Sequence, residues 1–153
     1  MKENYYISKN TYVFQSNFDK NGFENSKVLE KNREINVRKS PLHIVKESYE
    51  RIASDYEGAV RGARAILNKR NQVPVVYSAL SEIVLLHFPS IDRLGKVWVI
   101  NKYIQHIKPY EGNKTIIQMD NGHSIPVGMK FHLVQDRCIQ ATYLQTVAQQ
   151  RHP

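Results

Sequence analysis

The chain has 153 residues, 41% of them hydrophobic, with a formal net charge of +8 and a pI near 9.6. That length suits one domain, residues 1–153, with a proper core, and the composition is that of a soluble globular protein. No run approaches 18 apolar residues, the segment Met1-Lys-Glu-Asn-Tyr-Tyr-Ile7 lacks a signal-peptide core, and Cys138 is the single cysteine. A membrane span, an internal disulfide and a cysteine-based zinc site are therefore not expected, and the protein is expected in the cytoplasm.

In chain order, Tyr5-Tyr-Ile7 and Thr11-Tyr-Val-Phe14 are rich in β-formers, and Asn21-Gly22 supplies a turn before a third run, Lys27-Val-Leu29. Glu34-Ile-Asn-Val-Arg38 alternates, placing Ile35 and Val37 on one face of a strand. Ser40-Pro41 predicts a helix start: the serine hydroxyl caps free amides and proline suits the first helical position. Leu42, Val45, Tyr49 and Ile52 recur at helical spacing over residues 41–52, predicting one buried stripe. Between Ala53 and Leu67 the pattern is helical but interrupted by Gly58 and Gly62, whose spacing would also permit close backbone packing.

The middle of the chain returns to strands. Val73-Pro-Val-Val-Tyr77 carries a proline, which demands an edge strand or a strand start. Ile83-Val-Leu-Leu-His-Phe88 is apolar enough for a buried strand, with His87 set among apolar neighbours as a hydrogen-bonded or exposed histidine. Pro89-Ser-Ile-Asp-Arg-Leu-Gly95 is a loop, and Lys96-Val-Trp-Val-Ile-Asn101 a strand with Trp98 in the core. Thr115-Ile-Ile-Gln-Met119 and His123-Ser-Ile-Pro-Val127 flank Asp120-Asn121-Gly122, the turn chemistry of a hairpin. A helix follows over about Lys130–Gln149, docked by Val134, Cys138, Ala141 and Gln145, with Cys138 a packed thiol rather than a nucleophile. The fold class is α+β, mainly β: an antiparallel platform with a helix in the N-terminal half and another at the C-terminus.

Chemistry is sparse. The six histidines form no metal-ligand spacing, and there is no phosphate-binding glycine loop and no serine elbow. No catalytic residue, metal or cofactor is expected, and the chain is read as a non-enzyme. Charge is more informative. From Tyr56 to Lys114 nine basic residues face four acidic ones, interspersed with strands rather than gathered in a tail. That pattern favours a folded basic surface over a polybasic membrane anchor.

Several segments together resemble the ComK competence transcription factors. They are Pro41-Leu-x-Ile-Val45 with Ser48, Tyr56-x-Gly58-x-x-x-Gly62, Val73-Pro-Val-Val76, Phe88-Pro-Ser90, Trp98 in its short strand, and Asn121-Gly122 before the Ile-Pro-Val strand. Order and spacing agree from Tyr5 to Leu144. The resemblance implies a DNA-binding activator of competence genes that reads paired AT-rich promoter boxes, largely through the minor groove, as a dimer that assembles further. It also implies a protein associated with the nucleoid when bound. Where the family tends to have Gly-Arg, this chain has Gly58-Ala59, so Arg61 or Arg64 would take that arginine's place. Longer members continue with a further basic segment beyond the position of Pro153.

Residues 73–145 also resemble the second half of a LytTR DNA-binding domain, through Trp98-Val-Ile-Asn-Lys-Tyr-Ile-x-x-Ile107, the Asn-Gly hairpin and the following helix. That similarity implies an elongated β arrangement whose loops reach DNA. By position, the loop before Trp98 offers Arg93 and Lys96, and the turn before the last helix offers Lys130. Asn101 is a candidate for a base-edge contact, against a structural role at a strand end. Two rival readings remain: a basic protein-interaction module without nucleic acid, and an RNA-binding β platform, although the aromatic motif of the latter is missing.

Overall fold

The computed structural model describes residues 1–152. Its elements are β1 (Thr11–Phe18), β2 (Glu24–Glu30), β3 (Glu34–Val37), α1 (Pro41–Arg51), α2 (Tyr56–Leu67), β4 (Val75–Ser78), β5 (Ile83–Pro89) and β6 (Lys96–Ile100). They continue through a 3₁₀ turn (Asn101–Tyr103) to β7 (Ile104–Tyr110), β8 (Lys114–Met119), β9 (Ser124–Val127) and α3 (Phe131–Arg151). A six-stranded antiparallel sheet has the order β3-β2-β1-β6-β5-β4, and a smaller one the order β7-β8-β9. The α+β, mainly β, class follows directly. No helix among the described residues is long and apolar enough to cross a membrane.

The large sheet is buried on both faces, which is why its central strands read as unbroken apolar runs. Side chains alternate across a strand. Val13, Val84, Leu86, Phe88, Val97 and Val99 join one core with Ile117, Met119 and Val127 of the small sheet and Val134, Ala141 and Leu144 of α3. Phe14, Ile83, Leu85, Trp98 and Ile100 point the other way and pack with Ile44, Val45 and Tyr49 of α1. Trp98 is a core residue, stacked beside Phe14 at 5.9 Å. As Pro74 requires, β4 is an edge strand, and α2 packs along it.

Local signals held at most boundaries. Ser40 accepts a hydrogen bond from the His43 amide at 3.3 Å, and Pro41 opens α1. Gly122 takes φ +98° in the β8–β9 turn, where the Met119 amide donates to the His123 carbonyl at 2.8 Å. The start of the last helix near Lys130 is also borne out.

Two expectations are corrected, one interrupted segment is resolved, and one strand appears where none was expected. Tyr5–Ile7 is not a strand. Its anchors are side chains: the Tyr5 hydroxyl donates to Glu30 at 2.5 Å, and the Ile7 amide donates to the Ser48 hydroxyl at 3.0 Å. The buried stripe of α1 is Pro41, Ile44, Val45, Ser48 and Tyr49; Leu42 sits about 100° round the helix from Pro41 and is exposed, and Ile52 lies past the helix end. The open segment is α2, a continuous helix capped by Asp55, which accepts from the Gly58 amide at 3.1 Å, and closed by left-handed Asn68. Its glycines do not bring backbones together, for a Cβ on Gly62 would meet nothing within 4 Å. Finally, β7 is a strand that the sequence pattern hides. A bulge between Ile104 and His106 shifts the side-chain phase, so its inward residues, Ile104 and Ile107, are three apart.

Candidate nucleic-acid interface

Three turns meet near one end of the large sheet. The β5–β6 loop is closed on itself: the Ser90 amide donates to the Gly95 carbonyl at 3.0 Å, and the Arg93 amide to the Ser90 carbonyl at 2.9 Å. The Asp92 carboxylate accepts from the Ser90 hydroxyl and, at 3.0 Å, from the Leu94 amide. Those donors hold the Asp92 carboxyl below its ordinary range. The turn from β9 into α3 packs onto this loop so closely that a Cβ on Gly128 would lie 2.4 Å from the Ser90 carbonyl oxygen. The Gly128 amide donates to the Pro89 carbonyl at 2.9 Å, and the Arg93 guanidinium donates to the Gly128 carbonyl at 2.6 Å.

This packing brings Arg93 and Lys130 into one shallow groove of about 270 Å³, with Asn113 from the β7–β8 turn, His132 and Leu133. Leu133 also borders a second groove of about 370 Å³, lined by Lys69, Arg70, Gln72 and Arg137. The two grooves thus flank Leu133 on the N-terminal half of α3. Lys96 stands exposed at the start of β6, with its amide donating to the Ser16 hydroxyl at 2.8 Å. Lys96 and Arg137 each lie close enough to His87 to help depress its pKa, after burial.

The electrostatics of this strip are one-sided. Six ion pairs occur among the described residues, and none includes Lys69, Arg70, Arg93, Lys96, Lys130 or Arg137. Arg137 is held by neutral acceptors, the His87 carbonyl at 3.0 Å and Gln72 Oε1 at 3.2 Å, with its guanidinium 5.9 Å from the Phe88 ring. Burial lowers its pKa, and burial followed by Arg137 lowers that of Lys69, which donates to Gln140 Oε1 at 3.2 Å. The α3 N-terminus adds the same sign: it has no acidic residue in its first turn, and Lys130 is its cap residue. Asp136 is the acid within the second groove. A surface of this kind attracts a polyanion.

Of the residues singled out in the sequence, Arg93, Lys96 and Lys130 share this end. Arg61 and Arg64 do not line the grooves; they lie on the solvent side of α2, where Arg61 pairs with Asp55 at 3.8 Å. Asn101 is also elsewhere, its amide donating to the Thr142 hydroxyl at 3.2 Å and tying the 3₁₀ turn to α3. Sequence reading missed Arg137. The signal was present, because Lys130 and Arg137 are seven residues apart and so share one helix face.

A different surface lies between β7 and α3. Ile104, Ile107, Cys138, Ile139 and Tyr143 line an apolar groove of about 540 Å³ with no acidic, lysine or arginine side chain in its wall. Burial pushes the Cys138 thiol up to about 11, as befits a packed thiol. Among the described residues no group of three or more His, Cys, Asp or Glu is placed to hold a metal ion.

A family model described as "ComK protein" matches residues 2–153. Among curated proteins, the chain is 23% identical over 126 residues to the "Competence transcription factor" of Bacillus subtilis (strain 168). The match covers 82% of this chain and 66% of that protein, so the chain spans just under two thirds of the relative's length. No solved structure matches.

Proposed function

The chain belongs to the ComK protein family, and from that premise we propose that it binds double-stranded DNA as a transcription regulator. The proposal extends to AT-rich promoter boxes, activation of competence genes, and action in the cytoplasm on the nucleoid. One observation carries the reading: a group of cations, Arg93 and Lys130 in one groove and Lys69, Arg70 and Arg137 in the next, none of which forms an ion pair with a carboxylate. Phosphates spaced along a duplex would supply the missing counter-charges. Two grooves meeting at Leu133 have the extended form that a backbone-tracking contact needs. We propose Arg93, Lys96, Lys130 and Arg137 as the central contacts, with Arg61 and Arg64 peripheral.

Self-association belongs to the same reading. The apolar groove between β7 and α3 lies on another surface, and its wall carries no lysine or arginine, so a second copy of a chain of net charge +8 meets little repulsion there. We propose a homodimer or larger oligomer built through it.

Fluorescence anisotropy tests the DNA reading against four probes: AT-rich duplex, GC-rich duplex, duplex with I·C pairs replacing A·T pairs, and single-stranded RNA. Preference for AT-rich duplex that survives the I·C exchange is the expected result, because I·C keeps the minor-groove pattern and changes the major groove. Loss of binding on exchange moves the contact to the major groove. Tightest binding to RNA, or binding to none of the probes, overturns the proposal.

A further inference from the structure

We propose that Leu94, supported by Phe23, is an apolar wedge that enters between stacked base pairs and kinks the bound DNA. The inference rests on the DNA-binding reading and goes beyond it, because phosphate contacts alone require no apolar group at the interface.

Leu94 is 76% exposed and Phe23 69% exposed, among the most exposed large apolar side chains of the molecule. They do not lie on scattered surfaces. Phe23 belongs to the β1–β2 turn, where the Asp19 amide donates to the Phe23 carbonyl at 3.0 Å. In antiparallel register, Gln15 of β1 faces Val97 of β6, which brings the ends of these strands, Phe18 and the Leu94–Gly95 segment, side by side. A Cβ on Gly95 would lie 2.4 Å from the Ser16 Cβ and 3.2 Å from the Phe18 ring, so only glycine fits there. The two turns thus lie side by side at one tip of the sheet, and Phe18 and Ile91, each 43% exposed, add to their apolar surface.

The backbone of the tip is tied down while its side chain stands in water. The Leu94 amide donates to the Asp92 carboxylate at 3.0 Å, and the Gly95 amide donates to the Ser90 hydroxyl at 3.1 Å. Arg93, the residue before Leu94, sits at φ +62°, a left-handed conformation that costs a non-glycine residue of this size energy. Arginine keeps its guanidinium on Gly128, between the tip and Lys130. The carboxylates of these turns accept hydrogen bonds within the turns themselves: Asp92 as described, Asp19 from the Asn21 and Phe23 amides at 2.8 and 3.0 Å, and Glu24 from the Ser16 hydroxyl. An apolar point flanked in sequence by the exposed Arg93 and Lys96, next to the groove that Arg93 shares with Lys130, matches a partner with negative charge outside and an apolar stack inside. Leucine and phenylalanine wedges of this type partly unstack base steps and bend the duplex. An anionic bilayer shares part of that chemistry but offers no rigid slot, so DNA is the better fit.

The test uses the full chain and an A·T-rich duplex with a central TpA step, the easiest step to unstack. The duplex carries 2-aminopurine at that step and a fluorophore pair at its ends. Wild type is expected to raise the 2-aminopurine fluorescence and shorten the end-to-end distance. In Leu94→Ala both signals should fall by at least about half, with affinity weakened by roughly tenfold or less, because the cation strip is intact. Leu94→Ser, checked alongside by thermal melting, should behave likewise, and Phe23→Ala should show a smaller loss. Binding without either signal, or wild-type signals in both Leu94 variants, overturns the wedge and leaves the DNA reading standing. Failure to bind any duplex removes both. Leu94-dependent binding to phosphatidylglycerol vesicles, with duplex signals indifferent to Leu94, overturns the wedge in favour of a lipid surface.

Discussion

At the scale of single residues, placement separates cations that are free to meet phosphate from those already engaged. Lys96 and Lys130 are exposed, so alanine at either should weaken DNA binding by about 1 kcal/mol while stability stays within about 0.5 kcal/mol of wild type. Arg93 and Arg137 differ because each donates to a backbone carbonyl. Their alanine variants should lose similar binding energy and also about 1 kcal/mol of stability. Anisotropy titrations paired with thermal melts check both parts, and wild-type affinity in all four variants would place the interface elsewhere. His87 gives a pH prediction. Its ring packs 4.8 Å from Trp98, and burial, with Lys96 and Arg137 adding, pushes its pKa down to about 4 from an ordinary 6.5. The unfolded chain therefore takes up this proton more readily. The contribution is fully present above pH 6.5 and is lost progressively as pH falls toward 4. Histidine-to-glutamine substitution at this position should flatten stability over that window by an amount on the order of 2 kcal/mol, read from denaturant midpoints at pH 7 and pH 4.5.

At the scale of elements, α3 is unusual because it presents apolar residues on more than one side. Val134, Ala141, Leu144 and Val147 face the core, while Ile139 and Tyr143 remain 62% and 55% exposed beside β7. A surface helix that packs on one side only has little reason to keep a second apolar line. The adjacent edge strand carries Lys108 and Pro109, residues that discourage β-pairing, so the contact is expected through the helix rather than by strand addition. Ile139→Glu should convert the sedimenting species to monomer while the melting temperature changes little, since Ile139 is not part of either core. An unchanged oligomer would refute that surface.

At the scale of the whole molecule, the strip works as a field rather than as separate contacts. If ~6 phosphates are neutralised per bound protomer, log affinity should fall against log salt with a slope of about −5. A titration from low to moderate salt on the AT-rich duplex reads this directly. A slope near zero would mean that the basic balance of the chain serves no electrostatic contact with DNA.

Much of the fold was written locally. Ser40-Pro41, Asp120-Asn121-Gly122 and the apolar run Ile83–Phe88 each carry their own cause, a cap, a turn or two-sided burial, within a few residues. Such signals need no distant partner, so sequence alone determined the strands of the sheet core, the C-terminal helix, the α+β class and the family resemblance. Three features depended on tertiary contacts. The strand β7 escaped notice because its bulge broke the alternation, and α1 turned a different stripe inward because Ile44, rather than Leu42, found room against the sheet. The strip was decided by packing. Lys69, Arg93 and Arg137 are far apart in sequence, and they share a surface because Gly128 lets the β9–α3 turn close onto the β5–β6 loop. Charge along a chain counts cations. Only the folded backbone, by setting which turns meet, determines which of them act together.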